Sequence, residues 1–348
     1  MHFKKQIAMD VFLTNRTLLK ADIANMALLT QEEQKNIEDN DYNVGLVNES
    51  MEVNPENIVP ILIPVDSTSK LWKEWKAISQ NVASFTFRRS PGRNCYFLIK
   101  NQFDNKNLGI IDVAADFLSL GERDKHIGWN KEQRKLRNRN IANISICVPT
   151  RIFGYELSGG KLLALLATSK QVANHWKEKY GDDLVGITVT SLYGRGCQYN
   201  RLPHFKYVGK TKGQGTCQIP ESIYKRCRNL VEEVEGEIKG GCFTKGKNSR
   251  ISIIRKACKH LGIDAKILTT HGRKRGIYWC SRGDNTKEFL KGETTVYNEK
   301  NYEAVALLKY WKDTWAYRRI KNLKTKREQE LTPMKEEVNE KLGNNKIS

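Results

Sequence analysis

Three apolar runs in the middle of the chain leave it few ways to fold: CYFLIK at 95–100, LGIIDVAADF at 108–117 and ISICVP at 144–149. All are strand-length, and the first two are separated by a segment containing Asp104-Asn105-Lys106-Asn107, whose side chains favour tight turns. They predict a β-hairpin followed by a third strand that stops at Pro149. Further strands are predicted in LVGITVTSLYG at 184–194, FKYVGKT at 205–211 and RGIYWCS at 275–281. VPILIPV at 59–65 reads as a short strand or an extended linker.

Helical spacing fills the gaps. KLWKEWKAISQNVASF at 70–85 follows a Ser/Thr start. SGGKLLALLATSKQVANHWKEKYG at 158–181 reads as one helix, with apolar residues at Leu162, Leu163, Leu166, Val172, Ala173 and Trp176 and Gly181 as its stop. The second half of GERDKHIGWNKEQRKLRNRNIA at 121–142 looks helical as well. The order of elements predicts an α/β fold: a mixed, mostly antiparallel central sheet flanked by helices, with a basic helical C-terminal extension. The expected division is an N-terminal segment 1–66 with an acidic mobile stretch, a core at 67–215, a basic and mainly helical extension at 216–330, and a disordered tail at 331–348. Within the extension, NYEAVALLKYWKDTWAYRRIKNLKTKREQE at 301–330 reads as one long helix with an aromatic and a basic face.

Charge narrows the partners. The 348 residues carry a formal net charge of +20. Between Lys239 and Lys287 there are 13 Lys or Arg against two acids, whereas Thr30–Glu56 holds eight acids and one lysine. Clustered cations of this kind predict a polyanionic partner, nucleic acid and most simply DNA. No apolar run is long enough to span a membrane, and the N-terminal residues lack a secretory apolar core, so a cytoplasmic protein without a membrane partner is expected. The eight cysteines contain no C-x-x-C pair, and Cys258, His260, His271 and Cys280 match no standard zinc spacing, so no metal is expected.

The junction VPTRIFGYELSGGKLLALL points to chemistry. A strand ends, a glycine-containing loop is expected, and a helix begins at Ser158-Gly159-Gly160-Lys161. Free amides and the dipole at a helix start suit a phosphate or pyrophosphate. Arg151, Gly154, Ser158, Gly159, Gly160 and Lys161 are the candidate ligands. Neither a Walker A loop nor a Rossmann glycine pattern is present.

RDKHIGW at 123–129, the ISICVP strand, the helix begun by SGG, and TSLYGRGCQYN with FKYVGKTKGQG together resemble the family of the A subunit of the Druantia anti-phage system. The resemblance spans about residues 70–292 and takes in HGRKRGIYWC and TKEFLKGE. The element order is also similar to the GCN5-related N-acetyltransferase fold, as in Mom-type phage enzymes that modify DNA bases. That second likeness implies an acetyltransferase-like core at 67–215 with acetyl-CoA as cofactor. It places the coenzyme pyrophosphate at Arg151-Ile152-Phe153-Gly154-Tyr155-Glu156, which matches at the arginine and first glycine and departs at Glu156. It implies that Tyr199 protonates the departing thiolate. The position after the preceding strand holds Ser191, with no carboxylate in Ser191-Leu192-Tyr193-Gly194, so a base would come from elsewhere, such as Asp124.

Two functions follow from the resemblance and the charge. One is a CoA-dependent acyltransferase acting on nucleic acid. The other is a non-catalytic nucleic-acid-binding protein of a phage defence or counter-defence system. Under either, Arg195, Arg201, Lys210, Lys212, Arg273, Lys274 and Arg275 are expected to meet phosphate, with Arg318, Arg319 and Lys321 adding to them from the C-terminal helix. Arg123 with Asp124 is read as an internal ion pair, and Trp129, Trp311 and Trp315 as core anchors.

Overall fold

We describe the protein from a computed structural model whose described residues are 54–82, 92–212, 221–238, 249–266 and 274–326, with Ile219 and Gln329. Most of the acidic stretch, Arg273, His271 and the tail 331–348 lie outside them. Two units divide the chain: 42–210 with 276–348, and 1–41 with 211–275.

The first unit is built on a seven-stranded sheet among the described residues. Its strands are β1 (Pro60–Val65), β2 (Asn94–Asn101), β3 (Asn107–Ala115), β4 (Ile141–Pro149), β5 (Gly186–Ser191), β6 (Lys206–Lys210) and β7 (Gly276–Ser281). Their order is β1-β2-β3-β4-β5-β7-β6, antiparallel everywhere except between β4 and β5. The mixed, mostly antiparallel sheet expected from the apolar runs is present. VPILIPV is a strand: β1 pairs with β2 from Pro60 opposite Asn101 to Val65 opposite Tyr96, and its prolines are accommodated because it is an edge.

Alternation along β2 explains why that run is apolar throughout. Cys95, Phe97 and Ile99 face one core with Leu162–Leu166, Val172, Trp176 and Trp311. Tyr96 and Leu98 face another with Ile110, Ile146, Trp75 and Ile78. A strand covered on both sides shows no polar period. Gly109 of β3 is required by close approach, since a Cβ there would lie 2.4 Å from the Val148 carbonyl oxygen.

Helices cover both faces. α1 (Leu71–Val82) carries Trp75; α2 (Gly121–Ile127) and α3 (Lys131–Arg137) follow β3; α4 (Arg151–Leu157), α5 (Gly159–Leu166) and α6 (Lys170–Tyr180) link β4 to β5. Two expectations are corrected here. Residues 151–157 form a helix rather than a loop: Pro149 ends the strand, Thr150 is anchored by its N–H to the Leu108 carbonyl at 2.9 Å, and Ser158 closes the helix in a left-handed conformation at φ 56°. The helix expected over 158–181 is broken at Ala167–Ser169. Thr168 and Ser169 compete for backbone groups: the Thr168 hydroxyl donates to the Leu165 carbonyl at 2.7 Å, and the Ser169 side chain caps the Val172 N–H. Buried Arg282 then donates to the carbonyls of Thr168 at 3.0 Å, Ser169 at 3.4 Å and Leu184 at 2.8 Å.

After α9 (Thr286–Lys291), the C-terminal helix begins as α10 (Ala304–Trp311), passes through a π-helical turn at Lys312–Ala316 and continues helically over 317–326. The second unit packs α7 (Glu221–Glu235) against α8 (Arg250–His260) through Ile223, Tyr224, Cys227, Leu230, Val231, Ile253, Ile254, Ala257 and Cys258. Among the described residues no helix is long and apolar enough to cross a membrane.

Arg282 is 1% exposed and also pairs with Glu299 at 2.8 Å. Arg282→Leu takes the guanidinium from the Thr168 and Leu184 carbonyls and from Glu299, and is expected to lower the unfolding free energy in urea by about 3 kcal/mol. Lys309→Ala, which removes the exposed pair with Asp313, should change it by less than about 0.5 kcal/mol.

Candidate nucleic-acid interface

β4 and β5 are paired at only three positions, Ile141 with Gly186, Ala142 with Ile187 and Asn143 with Thr188. Beyond these, β4 continues beside β3 and β5 beside β7. A crevice at the carboxyl ends of diverging parallel strands is a favoured ligand position in α/β sheets. Here the chain itself enters it. Gln198, from the loop after β5, donates through Nε2 to the Cys147 carbonyl at 2.8 Å and lies 3.3 Å from the Tyr199 hydroxyl.

This packing changes the reading of the glycines. A Cβ on Gly160 would come within 2.5 Å of Gln198 Oε1, and one on Gly159 within 2.3 Å of the Phe153 ring. Both glycines are buried, so they serve close packing and present no open amide face. Ser158 spends its carbonyl on the Trp311 indole N–H at 3.2 Å and the Lys161 amide at 2.9 Å. Gly154 sits over Pro149, and Arg151 is exposed at the first position of α4.

The proposed acid and base are placed differently from the expectation. Tyr199 is 7% exposed and packs edge-on to Phe205, with ring centres 5.4 Å apart, and beside Tyr278 at 6.1 Å. Burial pushes its phenol well above the ordinary tyrosine value, and the adjacent Cys147 thiol adds to the shift. A phenol so placed is a weaker acid than expected, and neither Arg195 nor Arg201 rests on it. Ser191 is buried and accepts the Tyr193 N–H at 3.2 Å.

Asp124 is the centre of a closed network. Its Oδ1 accepts from Arg123 Nε at 2.9 Å, Arg123 Nη2 at 2.6 Å and the Trp129 indole at 3.0 Å, and its Oδ2 accepts from the Leu120 N–H at 3.0 Å and Arg134 at 2.9 Å. Burial disfavours the charge, but the Arg123 guanidinium outweighs it, and the carboxyl lies below the usual range. With five donors, Asp124 has no lone pair left for a base. Arg123 also pairs with buried Asp116 at 2.8 Å, and Thr188 donates its hydroxyl to Asp116. The internal ion pair and the Trp129 anchor are as read from sequence.

Around these buried groups lie cations and aromatic rings. The C-terminal helix turns Trp311, Trp315 and Arg319 toward α4 and α5. Trp311 packs on Phe153 at 5.8 Å. Trp315 has Lys161 Nζ 4.3 Å from its ring centre and the Arg201 guanidinium at 5.7 Å. Arg319 lies 4.8 Å over Tyr155, and Arg195 lies 4.5 Å over Tyr207. Arg318 and Lys321 are exposed on the same helix, and Lys210 ends β6. Among the described residues, none of Arg151, Lys161, Arg195, Arg201, Lys210, Arg318, Arg319 or Lys321 has a carboxylate partner within 4.0 Å. Lys161 donates to the Asn200 carbonyl, and burial, with the nearby Arg201 charge, brings its ammonium down to about 8.

In the second unit Lys212 and Lys274 are exposed and Arg275 is half-buried, with the Thr211 N–H on the Arg275 carbonyl at 2.9 Å. Sequence reasoning missed Gln198 and Tyr155. A glutamine carries no periodic signal, and Tyr155 differs from buried Phe153 in the same short helix only by its position on the turn. Among the described residues no three His, Cys, Asp or Glu side chains are grouped as a metal ion would need.

A model of the Druantia protein DruA family matches residues 17–292. A Druantia protein DruA from Escherichia coli (strain UMEA 4076-1) is 26% identical over 287 residues, covering 74% of this chain and 69% of that protein. No solved structure matches the chain, and none of these comparisons supports the acetyltransferase likeness.

Removing the cation beside Lys161 should raise its titration midpoint from about 8. Amine labelling followed by mass spectrometry across pH should show Lys161 reacting at lower pH than surface lysines in the unmodified chain. Arg201→Ala should move that profile upward, toward the ordinary lysine value near 10.4.

Proposed function

Because this chain belongs to the Druantia protein DruA family, a phage-defence family, we propose that it works in that defence by binding nucleic acid, most simply DNA. One observation carries the reading: cations from α5, the loop after β5 and the C-terminal helix lie on aromatic rings without described acidic partners. A folded chain gains little by holding like charges together. A phosphate backbone supplies the missing counter-charge and releases condensed ions as it binds. The rings hold the cationic side chains near the surface at a smaller entropic cost on binding.

The acyltransferase reading is less well supported. It needs amides that face a coenzyme and a phenol that faces its sulfur. The helix start is instead packed against Phe153 and Gln198, and Tyr199 sits in the core. The proposal therefore assigns no cofactor and no covalent step.

The test is the salt dependence of DNA binding by the full chain, read by fluorescence anisotropy. For about four phosphate contacts, affinity should fall roughly a hundredfold between about 50 and about 200 mM salt. Arg201→Ala should reduce the slope of log affinity against log salt by about 1, and Lys321→Ala by a similar amount. A flat response, or slopes unchanged in both variants, overturns the reading.

A further inference from the structure

We propose that Tyr155 and Arg319 form a stacking platform for an unpaired base, so that the nucleic acid taken by this surface is single-stranded; the inference rests on the binding reading above. Tyr155 is 57% exposed, unusual for a tyrosine in a helix whose neighbours Phe153 and Leu157 are buried. The Arg319 guanidinium covers its ring at 4.8 Å, while Arg319 Nε donates to the Tyr155 main-chain carbonyl at 2.9 Å. The arginine is thus fixed through the backbone. Its terminal nitrogens have no described carboxylate and can meet a phosphate.

The C-terminal helix is shaped to make this contact. Its π-helical turn is closed by the Tyr317 N–H on the Lys312 carbonyl, which places an extra residue in that turn. Beyond it the helix still faces α4, so Arg319 reaches Tyr155 one turn after Trp315 meets Lys161 and Arg201. Ring–cation pairs therefore follow one another along one helix face, Trp315 with Lys161 and Arg201 and then Tyr155 with Arg319. That is the arrangement by which single strands are held, phosphates on cations and bases on rings. A duplex keeps its base faces inside its own stack and offers an exposed ring nothing to stack on. Arg201 adds a sign of a constrained site: it is a non-glycine residue held at φ 59°.

The experiment compares an oligonucleotide with the duplex of the same sequence, at one salt concentration, on the full chain and on Tyr155→Ala and Tyr155→Phe. Because Arg319 is anchored to the carbonyl, Tyr155→Ala leaves it in place, and an unchanged thermal melt confirms that the fold is intact. The unmodified chain should bind the single strand more tightly. Tyr155→Ala should weaken that binding about tenfold and duplex binding by much less, and Tyr155→Phe should keep it. Equal binding of both forms, or an equal loss on both in Tyr155→Ala, overturns the platform while leaving nucleic-acid binding standing. Binding of neither form removes the binding reading together with it.

Discussion

β4 and β5 share three residue pairs at the parallel junction of the sheet, and most of what surrounds the site follows from how briefly those strands run together. Past Asn143 and Thr188, β4 is left with one edge unpaired. A buried carbonyl without a donor costs about 1–3 kcal/mol, and Gln198 meets that demand at Cys147. To do so, the loop after β5 must turn back over α5. That turn buries Tyr199 beside Phe205 and brings Asn200 and Arg201 to Lys161 and Trp315. The surface read as an interface is therefore the outer side of a plug whose inner side completes the sheet.

The fold treats its cations in two ways. Where a guanidinium is fully buried it has acids or a ring of carbonyls: Arg123 has Asp116 and Asp124, and Arg282 has Glu299 with three backbone oxygens. The desolvation cost leaves no other choice. Toward the surface, on α5, the loop after β5 and the C-terminal helix, cations lie on Trp315, Tyr207 and Tyr155 without described acids. Ring contacts of this kind are worth about 0.5–1 kcal/mol at exposed sites, enough to orient a side chain without neutralising it. Charge that is oriented yet uncompensated is what distinguishes these residues from the many solvated lysines elsewhere.

The sheet was legible because β2, β3, β4 and β7 are covered on both faces and so read as unbroken apolar runs. The edge strand β1 was ambiguous because two prolines interrupt it, and nothing local shows that β2 lies beside it. The break between α5 and α6 was hidden for a physical reason: the group that donates to the carbonyls at the break, Arg282, lies more than a hundred residues away in the chain. Glycine misled at 159–160, since sequence cannot tell a backbone kept bare for a phosphate from one kept bare for Phe153 and Gln198. Asp124 was readable in both directions, as a base by proximity to a motif and as an ion pair by its neighbour Arg123. Only the donors from Trp129, Arg134 and Leu120 decide between them. Of the candidate interface, the cations could be seen in the sequence, but their pairing with particular rings could not.

The route of the chain between β6 and β7 bears on where the positive charge is placed. Lys210 and Gly276 are cross-strand partners, so the chain leaves the sheet and returns to it at one point. The intervening unit packs its helices on a core of its own, from Ile223 to Cys258. An excursion that begins and ends at paired residues asks little of the strands that carry it, and loop-closure entropy grows only slowly with its length. Such a unit can accumulate lysine and arginine without opposing the packing of the sheet. The charge excess of the sequence is thus carried where repulsion costs the fold least: on a separately cored unit, and along a helix face where cations lie on aromatic rings.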